Sequence, residues 1–310
     1  MKRAIVSGAA GFVGSAVVAA LEQHGVEVCA VVPPDFATGP KQFRLERSQA
    51  TIVECDLRDY ATLDKLLPWD SADVFYQLAW EGLSPQQITD WSLQLENVGW
   101  NMNAIVVAAK LGCKAFIGAG TISQDELATA EGRRYQQDRH RVFRVAAQSC
   151  EDMGRSVAME QGISFFWPII SNVYGEGERM PRLVTNLCKS LLRGESVALS
   201  AGTQLYDFIY RSDAGEAFYR IGEYGKEGRR YNISSGDSKP LKEYLSQLRD
   251  VVAPDSTLEF GARPFAGIPL PKESFDITAL TEDTGFLPAV SFQEGVARVR
   301  DWLTASQSQP

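Results

Sequence analysis

The sequence has little of several features that would place it in other classes of protein. Histidine occurs twice, and 31 Lys and Arg residues against 39 Asp and Glu leave a net charge of -8. Because the chain has no dense block of basic residues, we expect no nucleic-acid-binding surface. No apolar run reaches about 18 residues, so we expect no membrane span. The glycine-broken start does not have the pattern of a signal peptide.

Cysteine is also sparse. The five cysteines are scattered and form no C-x-x-C pair: Cys29, Cys55, Cys113, Cys150 and Cys188. This pattern argues against a disulfide framework or a zinc site and is typical of a reducing compartment. We therefore expect a cytoplasmic protein that binds no metal.

The chain does contain short apolar runs that alternate with stretches of helical length. The runs are RAIVSG, VEVCAVV, ATIVEC, DVFYQLA, KAFIGAG and ISFFWPI, and the predicted helices between them span 11–24, 60–67, 88–111 and 138–161. Nearly continuous apolar character indicates buried parallel strands. The alternation therefore predicts an α/β protein with a doubly wound parallel sheet, the Rossmann fold.

After Pro168 the alternation becomes less regular. We predict strands at 207–210 and 229–234, and helices at 183–193, 212–223, 241–251 and 292–306. These boundaries predict a dinucleotide-binding domain of residues 1–175 plus about 207–235. A smaller α+β substrate lobe would comprise about 176–206 and 236–310.

The first predicted strand leads into a glycine-rich turn, IVSGAAGFVGSAVVAAL. Gly8 permits the tight turn, Gly11 lets the backbone approach a pyrophosphate, and Gly14 lets the helix pack closely on the strand. Phe12 and Val13 complete the turn, at a helix N-terminus that attracts negative charge. The position between a strand and a helix predicts a dinucleotide site.

This G-x-x-G-x-x-G form resembles the extended short-chain dehydrogenase/reductases, above all the nucleotide-sugar epimerases, dehydratases and reductases. Further motifs agree: Asp56-Leu57, Gln77-Leu78-Ala79, the run from Pro168 through Asn172 to Gly175, and Gly202 to Gln204 with 207–210 and Asp213. The resemblance implies that Asp56 and Leu57 contact adenine, and that residues 77–79 and Pro168 line the cofactor. It also implies that Asn172 approaches the phosphates of a nucleotide sugar.

The family carries Tyr-x-x-x-Lys on the helix that we predict at 138–161. One register keeps a tyrosine, Tyr135, with Arg139. The other places His140 and Arg144 at the two positions, and we prefer it because Val-Ala-Ala follows Arg144 and because the spacing to Pro168 fits better. Tyr135 remains the second candidate for a proton donor.

Imidazole exchanges protons near neutral pH, and a neighbouring Arg favours its neutral form. Arg144 can bind the cofactor ribose but cannot join a proton relay. The resemblance implies a third catalytic group at Thr121, with Ser123 as the alternative. Asp125 and Glu126 lie where dehydratases of the family carry an acid/base pair, but acidic residues are common at helix starts. We therefore expect no catalytic role for them.

The cofactor remains NAD or NADP. Val31-Val32-Pro33-Pro34-Asp35 replaces the usual acidic end of the second strand, while Lys41, Arg44 and Arg47 follow in the next loop, within reach of a 2′-phosphate. In the substrate lobe Tyr206 replaces an expected Arg. Other candidate contacts with the substrate are Trp80, Arg179, Arg182 and Arg263.

These residues predict an NAD(P)-dependent epimerase, dehydratase or reductase that acts on a nucleotide sugar or a related small polar molecule, with His140 as acid/base. The competing hypothesis is a non-catalytic paralogue that binds such ligands and supports a partner enzyme. The resemblance implies a homodimer formed through the helices at 88–111 and 138–161.

Overall fold

A computed structural model describes residues 1–39, 42–129 and 140–307. Its strands are β1 (Arg3–Ser7), β2 (Glu27–Val32), β3 (Thr51–Glu54), β4 (Val74–Gln77), β5 (Ala115–Ile117), β6 (Gly120–Thr121), β7 (Ser164–Phe166), β8 (Ile169–Ile170), β9 (Asn172–Tyr174), β10 (Val197–Leu199), β11 (Leu205–Tyr206), β12 (Phe208–Tyr210), β13 (Asn232–Ile233), β14 (Lys239–Pro240) and β15 (Leu258–Phe260). Its α-helices are α1 (Phe12–Gln23), α2 (Trp91–Lys110), α3 (Ser123–Ala128), α4 (Arg141–Gln161), α5 (Leu183–Leu192), α6 (Arg211–Tyr224), α7 (Leu241–Val252), α8 (Thr278–Thr284) and α9 (Phe292–Gln307).

The central sheet has six parallel strands in the order β3-β2-β1-β4-β5-β7. One buried cluster packs α1 and α6 on one face, and a second packs α2 and α4 on the other. This is the predicted doubly wound fold, and its order places the carboxyl ends of β1 and β4 side by side. The crevice at those ends is where such sheets bind ligands.

The prediction that all sheet strands are buried is wrong for β3. Three of its four residues are exposed and Val53 is half-buried. The reason is its place at the edge, where it pairs with β2 alone. An apolar run of this length cannot distinguish an edge strand from a central one.

Two other local predictions need correction, and short elements were missed. The helix predicted at 60–67 is a 3₁₀ helix, Leu57–Lys65, whose start is capped by Asp56. The strand predicted at 229–234 is reduced to β13, and α8 was not predicted at all. The short apolar segments around these places carry too little periodicity to determine an element type.

A third buried cluster lies in the C-terminal part of the chain. It combines α5, α7 and α9 with aromatic residues of β9 and β12. Along β12, Phe208 and Tyr210 face this cluster, whereas Ile209 belongs to the cluster of α1 and α6. Because side chains alternate between the two faces of a strand, β12 contributes to both buried clusters. The exact division into two domains remains a prediction, which the separate third core supports.

His24 is the C-cap residue of α1 and also contacts α6. Its ring stacks on Tyr219 with centroids 3.7 Å apart, and its Nε2 lies 2.8 Å from Glu216 Oε2. The five cysteines are free and buried, and burial raises the pKa of the Cys29 thiol to about 12. Among the helices described, none is both long and apolar enough to cross a membrane.

Candidate active site

The glycine loop is folded so tightly that two of its glycines have no room for a side chain. Gly8 has a φ of +69°, and a Cβ there would lie 2.6 Å from Ala79 N. A Cβ at Gly14 would lie 2.1 Å from Gly8 O. The loop therefore joins β1, the end of β4 and the start of α1 into one rigid unit.

The first turn of α1 presents donors that the protein does not satisfy. Gly11 N donates to Gly8 O and Ser15 N donates to Gly11 O, but within the described residues the amides of Phe12, Val13 and Gly14 have no acceptor. Three free N–H groups at a helix N-terminus form an anion-binding cradle. The site therefore fits the pyrophosphate of a dinucleotide.

The predicted cofactor residues at the strand ends lie around this cradle. Asp56 follows β3, where its carboxylate accepts from Arg58 N at 2.9 Å, and Leu57 begins the 3₁₀ helix. Gln77 ends β4 and is buried. Its Nε2 donates to Ala79 O, while its Oε1 has no partner among the described residues. Leu78 and Ala79 pass directly beside Gly8.

Thr121 ends β6, which follows β5 closely in the chain and pairs with β8 in a separate three-stranded sheet. Its Oγ1 accepts from Ser123 N at 3.3 Å, and its own amide donates to Gln124 Oε1 at 3.0 Å. Gln124 also accepts from Trp167 Nε1, and Pro168 O accepts from Gly120 N. The buried Gln124 side chain, which the sequence did not indicate, therefore determines the position of the Thr121 backbone.

His140 and Arg144 lie one turn apart at the start of α4. His140 is the exposed N-cap residue, whereas the Arg144 side chain is 12% exposed and forms an ion pair with Glu126 of α3. Burial raises the pKa of Glu126, and the positive charge of Arg144 opposes that rise. The site thus contains a second titratable group, Glu126. Tyr135 lies outside the described residues.

The loop after β4 connects the glycine loop to α4. Trp80 Nε1 donates to Gln94 Oε1 of α2 at 2.8 Å, and the Trp80 ring packs edge-on against Phe143, centroids 5.5 Å apart. Since Phe143 precedes Arg144, these contacts bring the start of α4 beside the segment that follows Ala79. Trp80 has a packing role here in addition to its predicted place in the pocket.

On the substrate side, Asn172 and Tyr206 are held by neighbouring strands. Asn172 Nδ2 donates to Asp207 O at 3.0 Å, and Tyr206 pairs with Lys239 of β14. Burial, and after it the negative charge of Glu126, raise the pKa of Tyr206. Arg182 and Arg263 are both exposed, at the N-cap of α5 and beyond β15.

The fold and these contacts define an α/β protein with an anion-binding crevice at the carboxyl ends of its parallel strands. The model of the NAD dependent epimerase/dehydratase family matches residues 4–234, and the chain belongs to this family. The prediction of an NAD(P)-dependent enzyme of the epimerase, dehydratase and reductase group is confirmed at the level of this family.

The chain is similar to a curated protein and to two solved structures that are each less than 30% identical to it. CDP-abequose synthase of Salmonella typhimurium is 26% identical over 266 residues, which cover 83% of this chain and 84% of that protein. The structure of WbmF from Bordetella bronchiseptica with NAD+ and UDP has a TM-score of 0.78 at 20% identity, covering 99% of this chain and 93% of that one. RMD from Pseudomonas aeruginosa, complexed with NADPH, has a TM-score of 0.77 at 16% identity, covering 98% and 100%. The two structures confirm the fold.

Proposed function

We propose that the chain is an NAD(P)-dependent enzyme that oxidises or reduces a sugar carbon of a nucleotide sugar. The observation that carries this proposal is the anion cradle of α1 beside Ala79, next to Trp80, whose ring packs against the helix that carries Arg144. The names of relatives such as CDP-abequose synthase support a nucleotide sugar as the substrate.

Different residues of the crevice bind different parts of the cofactor. The amides of Phe12, Val13 and Gly14 hold the pyrophosphate, and Gln77 Oε1 offers an acceptor to the cofactor. Arg144, which forms an ion pair with Glu126, binds the ribose of the cofactor. The bound dinucleotide supplies the acceptor or donor of the hydride.

Proton transfer falls to His140, with Thr121 holding the reacting oxygen. The exposed imidazole at the N-cap of α4 can exchange its proton with water between turnovers. Glu126 is the alternative acid/base because it is mostly buried and carries a raised pKa. The two roles are separable by mutation.

The experiment is turnover of a panel of UDP-, CDP-, GDP- and dTDP-sugars with both dinucleotides, followed by absorbance of the reduced cofactor and by NMR of the sugar. We expect turnover by the wild type, and a loss of about 10²- to 10⁴-fold in kcat for His140→Ala. His24→Ala is the matched control, since His24 stacks on Tyr219 away from the crevice, and it should keep full activity.

Three outcomes would contradict parts of this proposal. Wild-type protein that binds a dinucleotide but turns over no sugar would favour the binding paralogue. Full activity in His140→Ala with loss in Glu126→Gln would move the proton transfer to Glu126. Absence of dinucleotide binding would remove the redox role altogether.

We also propose that the enzyme is cytoplasmic and works as a homodimer. The buried free thiols support a reducing compartment. Exposed apolar side chains on α2 and α4 support a second copy as the partner: Trp91, Leu95, Val145 and Met153. These helices pack against each other, so their exposed faces form one surface.

A further inference from the structure

The end of β2 has no group that suits the ribose of NAD. Val32 is buried and is followed by the exposed Pro33 and Pro34, so no carboxylate stands where NAD-binding folds usually accept both ribose hydroxyls. Asp35 is the one carboxylate of residues 33–39. It is exposed and begins the short 3₁₀ helix Phe36–Thr38 without a side-chain capping bond.

Arg44, by contrast, is fastened to the glycine loop. Its Nη1 donates to Ala10 O at 3.1 Å and its Nη2 donates to Gly177 O at 2.8 Å. Its Nε is buried and has no acceptor among the described residues. Of the three basic residues that follow β2, Arg47 is exposed and Lys41 lies outside the described residues. Ala9 N donates to Val31 O at 3.3 Å, so the part of the glycine loop that accepts from Arg44 adjoins the end of β2.

The surroundings of Arg44 favour an additional anion. Its Cζ lies 6.0 Å from the Phe12 ring centroid, and Arg211 lies 5.4 Å from the same ring. Burial, together with the positive charges of Arg211 and Arg179, lowers the pKa of Arg44, while Glu178 opposes this effect. An anion bound here would relieve repulsion between the guanidinium groups.

We propose that Arg44 forms a 2′-phosphate subsite and that the enzyme prefers NADP(H) to NAD(H). The geometry is that of an arginine near the glycine loop in a fold whose second strand lacks the acid. The proposal rests on the dinucleotide site of the proposed function. The fold accepts either cofactor in its known structures, since WbmF holds NAD+ and RMD holds NADPH.

The test is calorimetric titration of wild-type protein with NADPH, NADH, adenosine 2′,5′-bisphosphate and 5′-AMP. We expect NADPH to bind about tenfold to a hundredfold tighter than NADH, and adenosine 2′,5′-bisphosphate to exceed 5′-AMP by the same factor. This is the gain typical of charge-assisted hydrogen bonds to one guanidinium. Arg44→Ala should remove that ratio and change NADH affinity less than threefold. The matched control Arg47→Ala should keep the ratio.

Because Arg44→Ala also removes two bonds to backbone carbonyls, Arg44→Lys provides a second measurement. Lysine keeps the charge but lacks the planar fork, so we expect the NADPH:NADH ratio to fall at least threefold in a protein with unchanged melting temperature. Equal binding of both dinucleotides by the wild type would overturn the preference. Equal loss of both in Arg44→Ala and Arg44→Lys would make Arg44 a structural residue only.

Asp35→Ala tests the alternative that Asp35 binds the ribose of NADH and gives the enzyme a preference for NAD(H). If it weakens NADH binding at least tenfold and leaves NADPH unchanged, Asp35 is the ribose acceptor and the preference is wrong. If neither dinucleotide binds the wild type, both the cofactor preference and the proposed function are wrong. If both bind equally, the cofactor preference fails alone.

Discussion

At the residue scale, the site combines groups that sequence can indicate with contacts that it cannot. The glycines, Thr121 and the His140/Arg144 register follow from motif spacing within one element. The Arg144–Glu126 pair joins two helices, and Arg44 contacts residues more than 30 positions away. Such contacts depend on tertiary packing. The sequence therefore could not distinguish Lys41, Arg44 and Arg47 as ligands of a 2′-phosphate, and it indicated no catalytic role for Glu126.

Thr121 provides a direct test of the reaction at this scale. Removal of its hydroxyl in Thr121→Ala leaves the backbone held by Gln124, so the site keeps its shape. We expect kcat to fall about 10²- to 10³-fold, as for loss of a donor to the reacting oxygen. Dinucleotide affinity should stay within twofold, and stability should fall by about 0.5–1.5 kcal/mol for one lost hydrogen bond.

Steady-state kinetics and urea unfolding of the same preparation measure both effects. Ser123→Ala is the matched control, because Ser123 meets Thr121 through its backbone amide. Wild-type kcat in Thr121→Ala, or an equal loss in Ser123→Ala, would show that the Thr121 hydroxyl does not act on the substrate.

At the scale of elements, apolar runs were sufficient for the central sheet and insufficient for the connecting pieces. The strands flanking the crevice, β1 and β4, are buried except at Arg3, and their residues 4–6 and 74–76 are apolar. Helix α8 has seven residues and follows a Pro/Gly-rich passage. It is held by distant parts of the chain, because Leu280 packs in the cluster of α1 and α6 and Asp283 forms ion pairs with residues 226 and 229. Periodicity cannot reveal an element that is stabilised in this way.

The ion pairs of Asp283 predict that α8 is held less strongly at acid pH. Asp283 accepts from Lys226 Nζ at 2.7 Å, Arg229 Nε at 2.9 Å and the Tyr231 hydroxyl at 3.0 Å. These bonds, Lys226 first, lower the pKa of Asp283 from 3.8 to about 2. The pKa of Asp283 is lower in the folded protein than in the unfolded chain, so its ionised carboxylate stabilises the fold at pH values above 3.8. This stabilisation is lost as the pH falls toward 2.

We therefore expect Asp283→Asn to have a lower urea midpoint than wild type at pH 7, with a difference that shrinks as the pH falls from 4 to 2. The neighbouring Glu282→Gln serves as control, since Glu282 is exposed and its Arg229 contact is longer, at 3.7 Å. A difference that stays constant from pH 7 to pH 2.5 would contradict the ionic origin of the attachment.

At the scale of the whole molecule, one surface remains apolar although the cores are filled. Trp91 and Leu95, one turn apart on α2, are 69% and 63% exposed, and Val145 and Met153 lie on the outer side of α4. A contiguous exposed apolar surface on two packed helices is typical of an oligomer interface. Since the crevice lies at the start of α4, a partner on this face would stabilise the catalytic helix.

Leu95→Glu tests this directly by sedimentation and light scattering. A carboxylate at the centre of the interface would be buried without a partner, so we expect the dimer dissociation constant to rise about a hundredfold or more. Leu287→Glu is the control, because Leu287 is 69% exposed and lies outside α2 and α4. The Leu95→Glu monomer should keep its fold but lose activity, because α4 carries His140 and Arg144 beside the crevice. A wild type that is monomeric at every concentration, or a Leu95→Glu variant that dimerises like the wild type, would show that this face is not the interface.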